Sequence, residues 1–239
     1  MATTAPYFQR TRIWGTGAWP WILLLLGVAV FGFWKPYFGA LGAAQKLAHL
    51  HAVSMLAWIA MLIAQPMLIR GRQRAWHRRI GKASYLVVPM IAVTALVLAQ
   101  QRIASAPAAA LPMQQTILYL GMSGAAILMV VWGLGIRHRR DAALHARYMA
   151  GTALTLIDPS LARVMIFWVP SVPPPLYVWI SFSVIYAILG VLIWLDRHAA
   201  RGRRAFVVLL GLFVALHASI LLVPGTATWQ RFAQWYAAM

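Results

Sequence analysis

Cysteine and glutamate are both missing from this 239-residue chain, and aspartate occurs only three times, at Asp141, Asp158 and Asp196. Without cysteine there is no disulfide, no thiolate-bound zinc or iron–sulfur cluster, and no covalent attachment of a c-type haem. Without glutamate, chemistry that needs a glutamate dyad or an acidic metal cage is excluded. A bound metal must therefore use His, Met, Asp or carbonyl oxygen. Charged residues make up 10% of the chain, against about 25% in an ordinary soluble domain. Those that remain are mostly Lys and Arg, 21 of them, for a net charge of +18.

What fills the chain instead is apolar: 62% of its residues are hydrophobic and the mean hydropathy is +0.74. A bilayer core of about 30 Å needs about 20 apolar residues per helix. Seven stretches qualify, approximately residues 20–41, 47–69, 83–101, 114–136, 145–169, 175–195 and 205–223. The pattern predicts an all-α, polytopic transmembrane bundle of seven helices, a single domain over residues 1–239. The first stretch follows Arg10 and Arg12 as a signal peptide would, but its apolar run is longer than a typical signal core, so it reads as a membrane helix. The tail, residues 226–239, places Trp229, Phe232, Ala233 and Tyr236 at helical spacing and reads as an interfacial helix lying on the outer leaflet.

The basic residues orient the bundle. Sixteen of them fall before the first segment or in residues 70–82, 137–147 and 197–204, against Lys35, Lys46, Arg102 and Arg231 at the other ends. By the positive-inside rule the amino terminus is cytoplasmic. This predicts a multi-pass protein of the bacterial inner membrane whose loops meet anionic headgroups rather than nucleic acid. Tryptophans agree: Trp14, Trp19, Trp21, Trp76 and Trp194 fall near the inner interface, and Trp34, Trp168 and Trp179 near the outer one.

The two long basic loops share a pattern. Ile69-Arg70 precedes Ala75-Trp76-His77-Arg78-Arg79 and a segment containing Pro89; Ile136-Arg137 precedes Leu144-His145-Ala146-Arg147 and a segment containing Pro159. The second and third segments and the fourth and fifth thus read as an internal duplication, with His77 and His145 equivalent, each at the start of a helix. Residues 47–165 resemble an uncharacterised family of predicted bacterial membrane proteins with an H-R-x-x-G loop and a later H-x-x-[WY]-M motif. By this resemblance the marked positions are His51, His77, Arg78, Gly81, His145, Tyr148, Met149 and Arg163. More distantly, the chain is similar to small membrane proteins implicated in haem-oxidase assembly.

Ionisable groups inside a bilayer are costly and mark function by default. At about 1.5 Å per residue, His51 lies about 10 Å outward of the midplane, Arg163 about 9 Å and His217 about 5 Å, with Asp158 near the midplane. His51 reads either as a ligand or as an interfacial histidine bonded to a carbonyl, and His217 either as a ligand or as a helix–helix hydrogen bond. Asp158 and Arg163, five apart and about 140° around a helix, pair directly only with help from a kink at Pro159, or else each meets another helix. The D-P-S segment could also be unwound, as in broken transporter helices. His77 and His145, beside Arg78, suit an anionic group such as a phosphate or a haem propionate. The pairs His51/Met55 and His145/Met149 have a spacing that suits Cu(I).

No lysine lies in the last segment, which excludes an opsin-like Schiff base. No H-E-x-x-H, P-loop or aspartate-rich diphosphate motif is present. The leading expectation is a redox or cofactor-handling protein with one b-type haem, or less readily copper, between His51 and His217. In that reading Met55 is a further metal ligand, Arg163 meets a propionate or a quinone oxygen, and a quinone or membrane redox protein is the partner. The alternatives are a small-ion or proton-coupled transporter using Asp158 and Arg163, and a non-catalytic assembly factor.

Overall fold

The computed structural model describes residues 14–239, and among them every regular element is helical. The elements are α1 (Trp19–Gly32), α2 (Lys46–Arg70), α3 (Arg74–Ala104), α4 (Leu111–Arg137), α5 (Ala142–Gly151), α6 (Ile157–Trp168), α7 (Leu176–Asp196), α8 (Ala205–Leu222) and α9 (Ala227–Ala237). Arg10 and Arg12 lie outside the described residues. Among the described residues six spans are long and apolar enough to cross a membrane, with α5 and α6 counted as one continuous path.

The first expected segment is shorter than its apolar run. α1 begins with Pro20 in its first turn and stops after 14 residues at Phe33, whose N–H closes on the Ala29 carbonyl at 2.9 Å. Pro36, three residues on, has no N–H to continue the ladder and disfavours helix in the residue before it. The chain then runs through turns and a 3₁₀ segment, Phe38–Ala43. The third segment is longer than expected. Only Gly71, Arg72 and Gln73 separate α2 from α3, with Arg72 in the left-handed region at φ 59°. Arginine is a good helix former, so the basic run that reads as a loop is the first two turns of α3.

The fifth segment is interrupted. α5 is capped by Asp141, whose carboxylate accepts from the N–H groups of Ala143 (3.0 Å) and Leu144 (3.4 Å). Residues Thr152–Leu156 tighten into a 3₁₀ turn before α6. There the hydroxyls of Thr152 and Thr155 donate back to the carbonyls of Met149 (2.6 Å) and Thr152 (2.7 Å), and Pro159 removes a donor from the next turn. The unwinding therefore falls one turn before D-P-S, which itself forms the start of α6.

α2, α3 and α4 pack in sequence, α1 lies on α6 and α2, and α8 lies on α7, α5 and α4. Three apolar clusters result among the described residues, two of them large. One gathers Val131, Ile185, Leu189, Phe206, Leu209 and Phe213 between α4, α7 and α8. The other gathers Ile22, Trp58, Leu62, Val88, Ile91 and Leu128 between α1, α2, α3 and α4. The outside stays apolar, with Leu24, Val53, Leu86, Val191 and Leu222 exposed, as lipid-facing surfaces must be. α9 is seated on the far ends of α3 and α4. Ala233 is buried against Ile103 and Leu118, Trp229 Nε1 donates to the Gln115 carbonyl (3.0 Å), and the Tyr236 hydroxyl donates to the Leu96 carbonyl (3.2 Å).

Membrane helices approach closely where side chains are small. At Gly32 of α1, an added Cβ would stand 2.7 Å from the Ser160 carbonyl oxygen of α6. Backbone cannot move aside as a flexible side chain can, so Gly32→Val should lower stability by about 1–3 kcal/mol. Thermal unfolding in detergent, followed by loss of the monodisperse peak, checks this; an unchanged midpoint would contradict the close contact.

Candidate functional site

With so few carboxylates, each partner is informative. Asp196, at the end of α7, receives two hydrogen bonds from Arg147 of α5, Nε to Oδ2 at 2.7 Å and Nη2 to Oδ1 at 2.5 Å, with both side chains about 1% exposed. Arg147 Nη1 also donates to the Ala143 carbonyl at 2.8 Å, and Trp14 lies under the guanidinium at 5.6 Å. Gly202, at φ 77°, passes so close that a Cβ there would lie 2.7 Å from Nη1. Asp141 pairs with Arg201 at 2.9 Å on the surface. Partial desolvation pushes the Asp141 carboxyl up, but the N–H groups of Leu144 and Ala143 and the Arg201 charge outweigh it and hold the carboxyl below its usual range.

The third carboxylate lies among membrane helices. Asp158, in the first turn of α6, faces His217 of α8, with Oδ2 3.5 Å from Nε2. His217 is buried and lies flat on Phe182 of α7, ring centres 3.5 Å apart at 6°. Its Nδ1 is 2.8 Å from the Tyr186 hydroxyl. A carboxylate can only accept, so the ring proton belongs on Nε2, toward Asp158, and Nδ1 then accepts from Tyr186. At 3.5 Å the imidazole and carboxylate are not hydrogen-bonded. Asp158 Oδ1 and His217 Nε2 are thus both buried without a hydrogen-bond partner. Such atoms are costly in a low-dielectric interior.

The other expected site residues are distributed. Arg163 does not meet Asp158; its guanidinium sits 5.3 Å above the Phe33 ring. His51 Nδ1 lies 2.9 Å from Thr94 Oγ1 on α3. Thr94 gives its own proton to the Met90 carbonyl at 2.7 Å, so it accepts from His51. Met55, one turn on, is half-buried beside the second apolar core. Each of the two histidines has its own neighbours, Thr94 for His51 and Phe182, Tyr186 and Asp158 for His217. His77 and His145 do meet, with ring centres 6.3 Å apart, and Arg78 beside them is exposed. Among the described residues no group of three or more His, Asp, Cys or Glu is arranged for a metal ion.

Tyr186 and Asp196 were not marked by the sequence. Tyr186 stands in an apolar run with nothing to single it out. Asp196 carried a signal in the shortage of acids itself, since a lone carboxylate at the end of a membrane span needs a cation. No family model matches the chain, and comparison with curated proteins and with solved structures finds no match.

Removing one partner of a buried ion pair strands the other charge. Asp196→Ala should therefore destabilise the fold by about 3–5 kcal/mol, and the double replacement Arg147→Met with Asp196→Leu should recover most of the loss. Denaturant or thermal unfolding in detergent measures both; a single variant as stable as the parent would contradict the role given to the pair.

Proposed function

We propose that this is a multi-pass protein of the bacterial inner membrane, its arginine-rich end cytoplasmic and against anionic headgroups, that couples its activity to movement of a proton or small cation. The observation that carries this reading is the Asp158–His217 pair, a carboxylate and an imidazole 3.5 Å apart among membrane helices with one unbonded polar atom each. A pair that needs only a shift of about 0.5 Å to form a hydrogen bond can hold a proton in one arrangement and release it in another. Tyr186 extends the chain of exchangeable protons through Nδ1.

The 3₁₀ turn Thr152–Leu156, directly before Asp158, supplies a means of coupling. A short 3₁₀ stretch within a membrane path is a place where a helix can bend. Neutralising Asp158 removes its interaction with the α6 dipole and its attraction to His217, and so shifts α6 relative to α8. The expectation of a haem between His51 and His217 draws no support from the packing, because each histidine has its own neighbours. A quinone or other redox partner is correspondingly not part of this reading.

The test is proton flux into proteoliposomes, driven by a potassium diffusion potential and followed with an enclosed pH dye. The parent protein should conduct or exchange protons above protein-free vesicles, and Asp158→Asn should reduce the rate about a hundredfold, as loss of a positioned proton acceptor does. Tyr186→Phe should give a smaller loss. Rates equal in parent, Asp158→Asn and empty vesicles would overturn the proposal.

A further inference from the structure

The turn between α7 and α8 is held at three points. Asp196, the last residue of α7, is bound by Arg147, and Arg201 reaches Asp141. Gly202, at φ 77°, stands so close to Arg147 that an added Cβ would lie 2.7 Å from Nη1. The rest of this anchored turn lines a cavity of about 710 Å³, whose wall holds Arg197, His198, Arg203 and Arg204 together with Leu144 of α5. Among the described residues no carboxylate lines it, and no hydrogen bond or ion pair engages the side chains of His198, Arg203 or Arg204. The chain has no acid to spare: Asp141, Asp158 and Asp196 are its only side-chain carboxylates, and each already faces another partner. The cavity therefore concentrates positive charge that calls for an anion from outside the protein.

The surroundings select the kind of anion. Val191, Trp194 and Arg197 follow one another at three-residue spacing, which keeps them on one face, and all three are exposed. The Arg197 guanidinium lies 4.2 Å from the Trp194 ring centre, and its Nη1 donates to the Trp194 carbonyl at 2.6 Å. A tryptophan at the end of a membrane span marks the headgroup level, so the arginine beside it stands at the depth of lipid phosphates. On the other side of the turn, Val207 and Val208 of α8 follow Arg203 and Arg204 and are also exposed. Apolar surface for acyl chains thus flanks the basic cavity on both helices. The arginine fork matches phosphate oxygens in pairs, whereas a zwitterionic lipid would bring an ammonium group with no carboxylate to receive it. We infer that the α7–α8 turn is a binding site for the phosphodiester headgroup of one anionic phospholipid, with its acyl chains along Trp194 and Val191. This rests on the reading that the arginine-rich end lies against anionic headgroups and adds a defined site to it. Asp158 and His217 take no part, so its failure leaves the proton reading untouched.

The test titrates phosphatidylglycerol, with phosphatidylcholine for comparison, into the full-length protein in a neutral detergent, and counts the retained lipid by native mass spectrometry. The parent should keep one phosphatidylglycerol and release phosphatidylcholine. Arg203→Gln with Arg204→Gln should weaken phosphatidylglycerol binding about 30-fold, and Arg203→Gln alone about fivefold. Arg78→Gln with Arg79→Gln removes the same charge from exposed positions at the start of α3 and should leave binding nearly unchanged. Inorganic phosphate should not displace the lipid, and helical circular dichroism confirms that each variant is folded. Equal retention of the two lipids by the parent overturns the proposal. Equal losses in the two double variants overturn the site while keeping the general attraction to headgroups. Displacement by inorganic phosphate overturns the lipid assignment and gives the cavity to a soluble anion.

Discussion

The structure depends most on how a chain with three carboxylates and 21 basic residues uses its negative charge. Each aspartate is placed between the α5–α6 arm, with its preceding link, and the α7–α8 hairpin. Asp141 reaches Arg201, Arg147 reaches Asp196, and Asp158 faces His217. In a bilayer the lipid is as apolar as the helix surfaces, so burial of leucine does not by itself choose which helices pair. Polar contacts do much of that choosing. Two of the three pairs sit together at the basic end and fix the start of α5 against the α7–α8 turn.

The three pairs differ in how well they are satisfied, and this separates scaffold from site. Arg147 and Asp196 form a two-point bond with a further carbonyl and an aromatic ring around the guanidinium. Such a pair is specific in geometry and costly to break. Asp158 and His217 stand apart by 3.5 Å with one unbonded atom on each. The buried pair ties α5 to the end of α7, and the surface pair ties the start of α5 to the turn that follows α7. The incomplete pair is the one on which the proposed proton movement rests.

Much of the fold was legible because bilayer thickness imposes long apolar runs, and runs of that length are plain in the sequence. Helix boundaries were less so, for local reasons. Residues 33–41 are as apolar as a helix, yet Pro36 ends α1 early; residues 74–82 are as basic as a loop, yet arginine carries the helix through them. Depth calculations brought out Asp158, Arg163, His51 and His217, since charge and imidazole stand out in an apolar segment. They could not say which helix each residue faces. That depends on packing, which joined His217 to Asp158 and left His51 with Thr94 and Arg163 over Phe33. His77 and His145, matched in the two basic segments, lie with ring centres 6.3 Å apart.

The account rests on Asp158 changing protonation state within the bundle in response to His217. Infrared difference spectroscopy of the lipid-reconstituted protein across a pH titration reads this directly, through the carbonyl stretch of a protonated carboxylic acid. The account predicts a band that is absent in Asp158→Asn and whose midpoint moves in His217→Gln. A titration with no such band, or one that is the same with and without the Asp158 carboxyl, would contradict it.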